Sequence, residues 1–278
     1  MQPFSEDPEG ISHTTSPTAD ARPAIRLTAA SVVFERDDKP FQALDNIDLD
    51  IQAGSLVTLI GPSGCGKSTL LRLLADIVQP SQGQVEIFGT SPGDVRRRRE
   101  IGFCFQDATL LPWRSVIDNV RLPLDVGRGR DQAAGGAHTP EALLHLVGLA
   151  DWADARPSAL SGGMRQRVAI ARALMSEPRL LLMDEPFGAL DEITRDKLND
   201  ELLRIWRETG ITIVFVTHSL SEAVYLAEDI VVMAANPGRI IERIDLRPVR
   251  KDGALERDSP RFAELTGRLR HLLSMATP

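Results

Sequence analysis

The chain has 278 residues, 42% hydrophobic and 26% charged, with a formal net charge of -7. These values are ordinary for a soluble globular protein, and the length suits one large domain or a domain carrying a subdomain. The acidic balance argues against a general nucleic-acid binder, which needs clustered Lys and Arg, and no apolar run approaches the roughly 20 residues that cross a bilayer.

Residues 1–23 are rich in Pro, Ser, Thr and acidic side chains, and lack a basic start and an apolar core. They read as a disordered tail rather than a secretion signal. "AIRLTAASVVF" and "ALDNIDLDI" read as strands of an edge sheet with "RDDKPFQ" as the turn between them. "SLVTLI" is a β-rich apolar run of the kind buried on both faces. A glycine-rich turn follows, then a helix over 68–75, and "QVEIFG" and "IGFCFQ" as short strands. From about 107 to 160 the pattern is helical and interrupted, with a polar Gly-rich insert "GRGRDQAAGGAHTP". "GMRQRVAIARALM" is strongly helical, and "RLLLMDEP" is a strand with acidic residues at its C-terminal end. "EITRDKLNDELLRIWRE" places Leu198, Leu202 and Ile205 on one helical stripe. "ITIVFVTH" is a buried strand ending on His218, and "DIVVMA" and "RIIERIDL" finish the sheet. A last amphipathic helix runs through Phe262, Leu265, Leu269 and Leu272. Strands alternating with helices predict an α/β fold with a mostly parallel sheet covered on both sides. Cys65 and Cys104 are the two cysteines, one in the glycine turn and one in an apolar run, which suits a reducing compartment and no disulfide. The run Arg96–Arg99 reads as a solvated face.

The stretch from Gly61 to Ser68, "GPSGCGKS", matches G-x-x-x-x-G-K-[ST] between a strand and a helix. Small residues let backbone N–H groups turn inward on a polyphosphate, and the helix N-terminus adds partial positive charge. The predicted cradle is Gly61, Pro62, Ser63, Gly64, Cys65, Gly66, Lys67, Ser68 and Thr69. Lys67 would reach the β- and γ-phosphates, Ser68 would hold Mg²⁺, and Thr69 would reach an outer phosphate. Asp184, at a strand end, would bind Mg²⁺ through its water shell. Glu185 would then face the γ-phosphate as general base for the attacking water. These motifs alone suit many ATPases and GTPases.

"LSGGMRQR", from Leu160 to Arg167, resembles the signature of the ATP-binding cassette family. The other elements of that family follow the same order as here: Gln106 in "FQDATLLPW", "GALD" from Gly188 to Asp191, and His218 in "VTHSLSEA". The resemblance covers the chain from about Arg26 to Ile244. It implies a P-loop ATPase domain over 24–246, with an antiparallel β edge subdomain and a helical subdomain inserted at about 107–175, and a C-terminal extension over 247–278. It also implies a head-to-tail homodimer around two ATP molecules. Ser161, Gly162 and Gly163 would open a helix towards the ATP held by the second subunit. Gln106 resembles the family's glutamine that senses Mg²⁺ or the water. His218 resembles its γ-phosphate histidine, and Asp191 the aspartate that couples the two sites. Phe34 stands where the family stacks an aromatic on adenine, with Tyr commoner there. Ser219 stands where relatives often have Asp, and Asp76 where Gly is frequent.

"FQDATLLPWRSVIDNV", "MDEPFGALDEITR" and "AANPGRI" look like the ATPases of bacterial importers for nitrate, sulfonates and taurine, with related systems for pyrimidine-type vitamin precursors. That resemblance implies separate integral-membrane permease subunits, an external solute-binding protein, and a place on the cytoplasmic face of the inner membrane. A soluble ABC ATPase acting on DNA or ribosomes is the alternative. Such chains usually carry two ATPase sets or long coiled coils, and neither pattern is visible here. A non-hydrolysing regulatory subunit is the third reading, against which Glu185 and His218 argue.

Overall fold

The computed structural model describes residues 22–36, 39–126, 138–250 and 255–276. The expected tail, the centre of the polar insert and the middle of the first turn therefore lie outside the described residues. Strands β1 (Ile25–Arg36), β2 (Lys39–Ile51) and β4 (Gln82–Ile87) form an antiparallel sheet in the order β2-β1-β4. The first two are longer than the sequence pattern predicts. Phe34 pairs with Phe41, and Arg36 with Lys39, so most of the expected turn is ladder. Pro40 fits because β2 is an edge strand, where a missing N–H costs no ladder bond.

The second sheet has the order β5-β6-β7-β3-β8-β9. Its strands are β3 (Leu56–Ile60), β5 (Ile101–Cys104), β6 (Leu180–Asp184), β7 (Thr212–Thr217), β8 (Asp229–Ala234) and β9 (Arg239–Asp245). All pairs are parallel except β8–β9. Both faces of the central strands are apolar, and the period-2 alternation sorts them. Leu180, Leu182, Val214 and Val216 join one core with Leu70, Leu71 and Leu74 of α1 (Lys67–Leu74) and with Ile25 and Leu49 of the antiparallel sheet. Leu181, Met183, Ile213 and Phe215 point into a second core with residues of α3 (Val116–Asp125), α4 (Pro140–Leu146), α5 (Gly162–Leu174) and α6 (Glu192–Thr209). Helix α8 (Pro260–Ala276) covers a third cluster with Phe262, Leu265 and Leu269 against Ile230 and Val232.

Two short helices escape the sequence pattern because neither is long enough to show a period. Helix α2 (Pro92–Arg97) starts on Ser91, whose hydroxyl accepts from Asp94 N at 3.2 Å, with Pro at its first position. Helix α7 (Leu220–Leu226) is capped by Ser219. Arg96, Arg97 and Arg98 are exposed, as expected, and paired with Asp76, Asp94 and Glu100 respectively, whereas Arg99 is half-buried and donates to Pro123 O at 3.2 Å. Asp76 sits just after α1 with φ 57°, the left-handed backbone that explains a frequent Gly there. Its carboxylate accepts from Gln79 Nε2 at 2.7 Å and Arg96 Nε at 2.9 Å.

Fully buried Asn119 on α3 ties down the loop after β5. Its Nδ2 donates to Leu111 O, Arg114 O and Ser115 O, and its Oδ1 accepts from Leu111 N at 2.7 Å. Asn119→Ala orphans this set, and an unsatisfied buried group costs about 1–3 kcal/mol. The variant should lose about 3 kcal/mol in a urea titration. An unchanged midpoint would show that water replaces the amide.

Candidate functional site

The phosphate loop spans the gap between β3 and α1. Gly66 has φ 91° at the start of α1, and a Cβ there would lie 2.6 Å from Leu44 Cδ2 and 2.8 Å from Ala43 O. The loop therefore packs onto β2 so closely that only Gly fits. Gly64, φ 78°, has no atom within 4 Å of an added Cβ, so the outer side of the turn is open. Lys67 is 6% exposed, and its ammonium donates to Gly61 O at 2.8 Å and Pro62 O at 3.1 Å. Cys65 is buried beneath it, and burial pushes its thiol up against the pull of Lys67.

The end of β6, separated from β3 by β7, brings in Asp184, 116 positions downstream of Ser68. Ser68 Oγ donates to Asp184 Oδ1 at 2.9 Å, so the fold brings together the two side chains expected at Mg²⁺. Burial holds the Asp184 carboxyl above the usual carboxylate range. The Ser68 hydrogen bond opposes this shift, and the neighbouring Glu185 charge adds to it. A cation at this point would offset the cost, so the pair fits Mg²⁺. No group of three or more His, Cys, Asp or Glu suited to a metal occurs among the described residues. The rest of a Mg²⁺ shell would therefore come from phosphate oxygens and water, as is usual for that ion.

Glu185 follows β6 with φ 47°, a left-handed backbone in a non-glycine residue. Such strain is held in place by its surroundings and gathers at working sites. Glu185 N donates to Val216 O at 3.1 Å, and Gly188 N donates back to Glu185 O at 3.1 Å. His218 comes one residue after β7, not within it as the sequence suggests. Its Nδ1 lies 3.3 Å from Glu185 Oε2. Its side chain is 58% exposed and that of Glu185 25%, so both remain accessible.

Other predicted residues sit further out. Phe34 is 38% exposed on β1, opposite Phe41, and so is free to meet a planar ring rather than packed in the core. Gln106 is exposed after β5. Ser161 caps α5, its hydroxyl accepting from Met164 N at 3.3 Å, with Gly162 exposed beside it. Gly163 packs against α6, where an added Cβ would meet Thr194 Cγ2 at 2.8 Å. None of these contacts joins them to the phosphate loop of the same chain. Asp191 caps α6, accepting from Thr194 N at 2.9 Å, and this bond lowers its pKa.

Sequence reasoning missed the residues that hold these loops. Gln166 on α5, 4% exposed, donates to Phe105 O at 3.2 Å, next to Gln106. Arg172 donates to Ala108 O at 2.8 Å and Thr109 O at 2.9 Å. Their partners are backbone carbonyls more than sixty residues away, so no local pattern marks them.

The ABC transporter family model matches residues 44–188. The chain is 43% identical over 260 residues to the Taurine import ATP-binding protein TauB of Rhizobium johnstonii, covering 90% of this chain and 96% of that protein. It is 42% identical over 258 residues to the TauB of Pseudomonas aeruginosa, covering 89% and 94%. Among solved structures, a dimeric post-hydrolysis state of the ATP-binding cassette MJ0796 bound to ADP and Pi superposes with a TM-score of 0.70 at 34% identity, over 80% of this chain and 99% of that one. CbiO1 of Clostridium perfringens shares the fold at 24% identity, with a TM-score of 0.71 over 91% and 98%. The matched span runs from β2 beneath Gly66 to the turn behind Glu185, and the chain belongs to the ABC transporter family as one of its ATP-hydrolysing subunits.

Proposed function

We propose that this ATPase energises the import of a small solute of the nitrate, sulfonate or taurine type. The observation that carries the reading is the meeting of two couples, Ser68–Asp184 and Glu185–His218, at neighbouring strand ends beyond one phosphate loop. The high identity to two TauB proteins over most of their length supports the solute class. The dimeric MJ0796 cassette supports a homodimer.

In this reading Phe34 stacks on adenine, and the loop amides of 61–69 with Lys67 bind the phosphates. Ser68, Asp184 and Gln106 would hold Mg²⁺, which neutralises charge on the β- and γ-phosphates. Glu185 accepts the proton of the attacking water, and His218, 3.3 Å from its carboxylate, holds the γ-phosphate side of the site. Ser161, Gly162 and Gly163 face the ATP of the second subunit, and Asp191 couples the two sites. Closure drives transport because the open and closed states bind ATP with different affinity.

No helix among the described residues is long and apolar enough to cross a membrane. The solute path is assigned to separate permease subunits on whose cytoplasmic face this chain sits, fed by a solute-binding protein outside. Phe105 and Trp113, 44% and 68% exposed around the loop after β5, are the apolar surface offered to the permease. The test is co-purification of the tagged chain from its own membranes in mild detergent. A stoichiometric multi-span protein is expected. Recovery of ribosomal or DNA-repair proteins without a permease would overturn the importer reading in favour of a soluble ABC ATPase.

A further inference from the structure

The turn carrying His218 and the turn behind Glu185 are joined by a buried polar link. Thr217 ends β7, and its hydroxyl accepts from Ser219 N at 2.9 Å while donating to Glu222 Oε2. The Thr217 hydroxyl thus closes the turn around His218, and the Glu222 carboxylate on α7 holds that hydroxyl. Glu222 is 4% exposed. Its other oxygen, Oε1, has no hydrogen-bond partner and lies 3.9 Å from Arg195 Nε. Arg195 stands in the first turn of α6. It donates through Nη2 to Leu190 O at 2.7 Å and through Nε to Phe187 O at 3.4 Å. Those carbonyls belong to the turn whose Gly188 N holds Glu185 O. A Cβ built on Gly188 would lie 3.4 Å from both Glu185 O and His218 Cε1, so the two turns abut.

A buried carboxylate is costly unless it is paired, and here it is shared between a hydroxyl and a guanidinium. Burial pushes the Glu222 carboxyl up, against the pull of Thr217 and Arg195. Apolar side chains could fill the same space at lower cost, but they would not fix two backbone turns at once. Arg195 N also donates to Asp191 O at 2.9 Å, so the link starts one helical turn from the residue expected to meet the second subunit.

We propose that Arg195 and Glu222 are positioning residues that set the distance between His218 and Glu185, and that they carry displacement of the 187–191 turn to His218. The proposal rests on the assignment of Glu185 and His218 given above. The link acts on geometry needed for the water's attack, not on the phosphate loop. It should therefore govern turnover and leave nucleotide affinity alone.

The experiment measures steady-state ATP hydrolysis and ATP binding by calorimetry on the full chain carrying Glu222→Gln, Arg195→Met or Arg195→Lys, each alone and in a His218→Ala background. With otherwise wild-type sequence, Glu222→Gln and Arg195→Met should lower kcat about 10- to 100-fold with KM and Kd within about twofold. Arg195→Lys should recover part of that loss. In the His218→Ala background the same substitutions should have little further effect, because the residue they position is gone. Equal losses in both backgrounds, or losses that track the melting temperature, would overturn the proposal and make the link a purely structural one. Should Glu222→Gln fail to fold, Arg195→Lys gives the same test with the charge retained. A Glu185→Gln control that still hydrolyses ATP would instead overturn the underlying assignment.

Discussion

Glu185→Gln is expected to bind ATP with near-native affinity while hydrolysing it about 10²- to 10⁴-fold more slowly, the usual contribution of a positioned general base. The amide is isosteric with the carboxylate and accepts or donates at the same distance from His218 Nδ1, now 3.3 Å. What it lacks is a lone pair basic enough to take a proton from water. The backbone strain at this residue, φ 47°, is held by Val216 O and Gly188 N and so does not depend on the side-chain charge. Ser68, Asp184 and Lys67 are untouched, so the phosphates keep their ligands. A subunit that binds but cannot hydrolyse should accumulate as an ATP-bound dimer. Gel filtration with ATP should show twice the monomer mass for the variant, and a phosphate-release assay should show the lost turnover. Near-normal steady-state hydrolysis would remove Glu185 from the role of base.

The parts of this arrangement that could be read in the sequence are those whose residues are neighbours along the chain. Gly61 to Thr69 form one turn between one strand and one helix, so the motif carries its own geometry. Asp184 and Glu185 are legible for the same reason, as the end of a strand with Leu180–Met183 fully buried. The buried strands themselves were clear because both of their faces are apolar. Arg195 and Glu222 were not legible. Each resembles an ordinary charged residue on a helix, and only the folded chain shows that Arg195 reaches back to Phe187 O and that Glu222 is buried beneath Thr217. Gln166 and Asn119 hide in the same way, since their partners are carbonyls of a loop without regular structure. Helix α7 hides for another reason. Seven residues hold too little of a 3.6-residue period to be told from a loop, and Ser219, its cap, reads first as a departure from the family's Asp. The expected ends of β1 and β2 fall short because the predicted turn "RDDKPFQ" takes in Pro40. An edge strand tolerates it.

Lys67→Ala should abolish measurable ATP binding at concentrations that saturate the wild type. The ammonium is one of the few cations with almost no access to water, 6% exposed, and it lies against the loop carbonyls of Gly61 and Pro62. Hydrogen bonds to charged groups contribute about 1.5–3 kcal/mol each. Losing two such contacts to a triphosphate would raise Kd by roughly 10²- to 10⁴-fold. The truncation also leaves Gly61 O and Pro62 O without their donor, so the loop loses part of what shapes it. Pro62 is half-exposed and water can serve its carbonyl, which keeps the cost to the nucleotide-free fold near 1 kcal/mol. Lys67→Arg should fail almost as badly, because a planar fork does not fit a space shaped for a point charge on a flexible stem. Calorimetry with ATP, beside thermal melting without it, separates the two effects. A melting curve close to wild type with no binding isotherm places Lys67 on the phosphates. Unchanged affinity would mean that the loop amides alone hold the nucleotide and that Lys67 serves only its own turn.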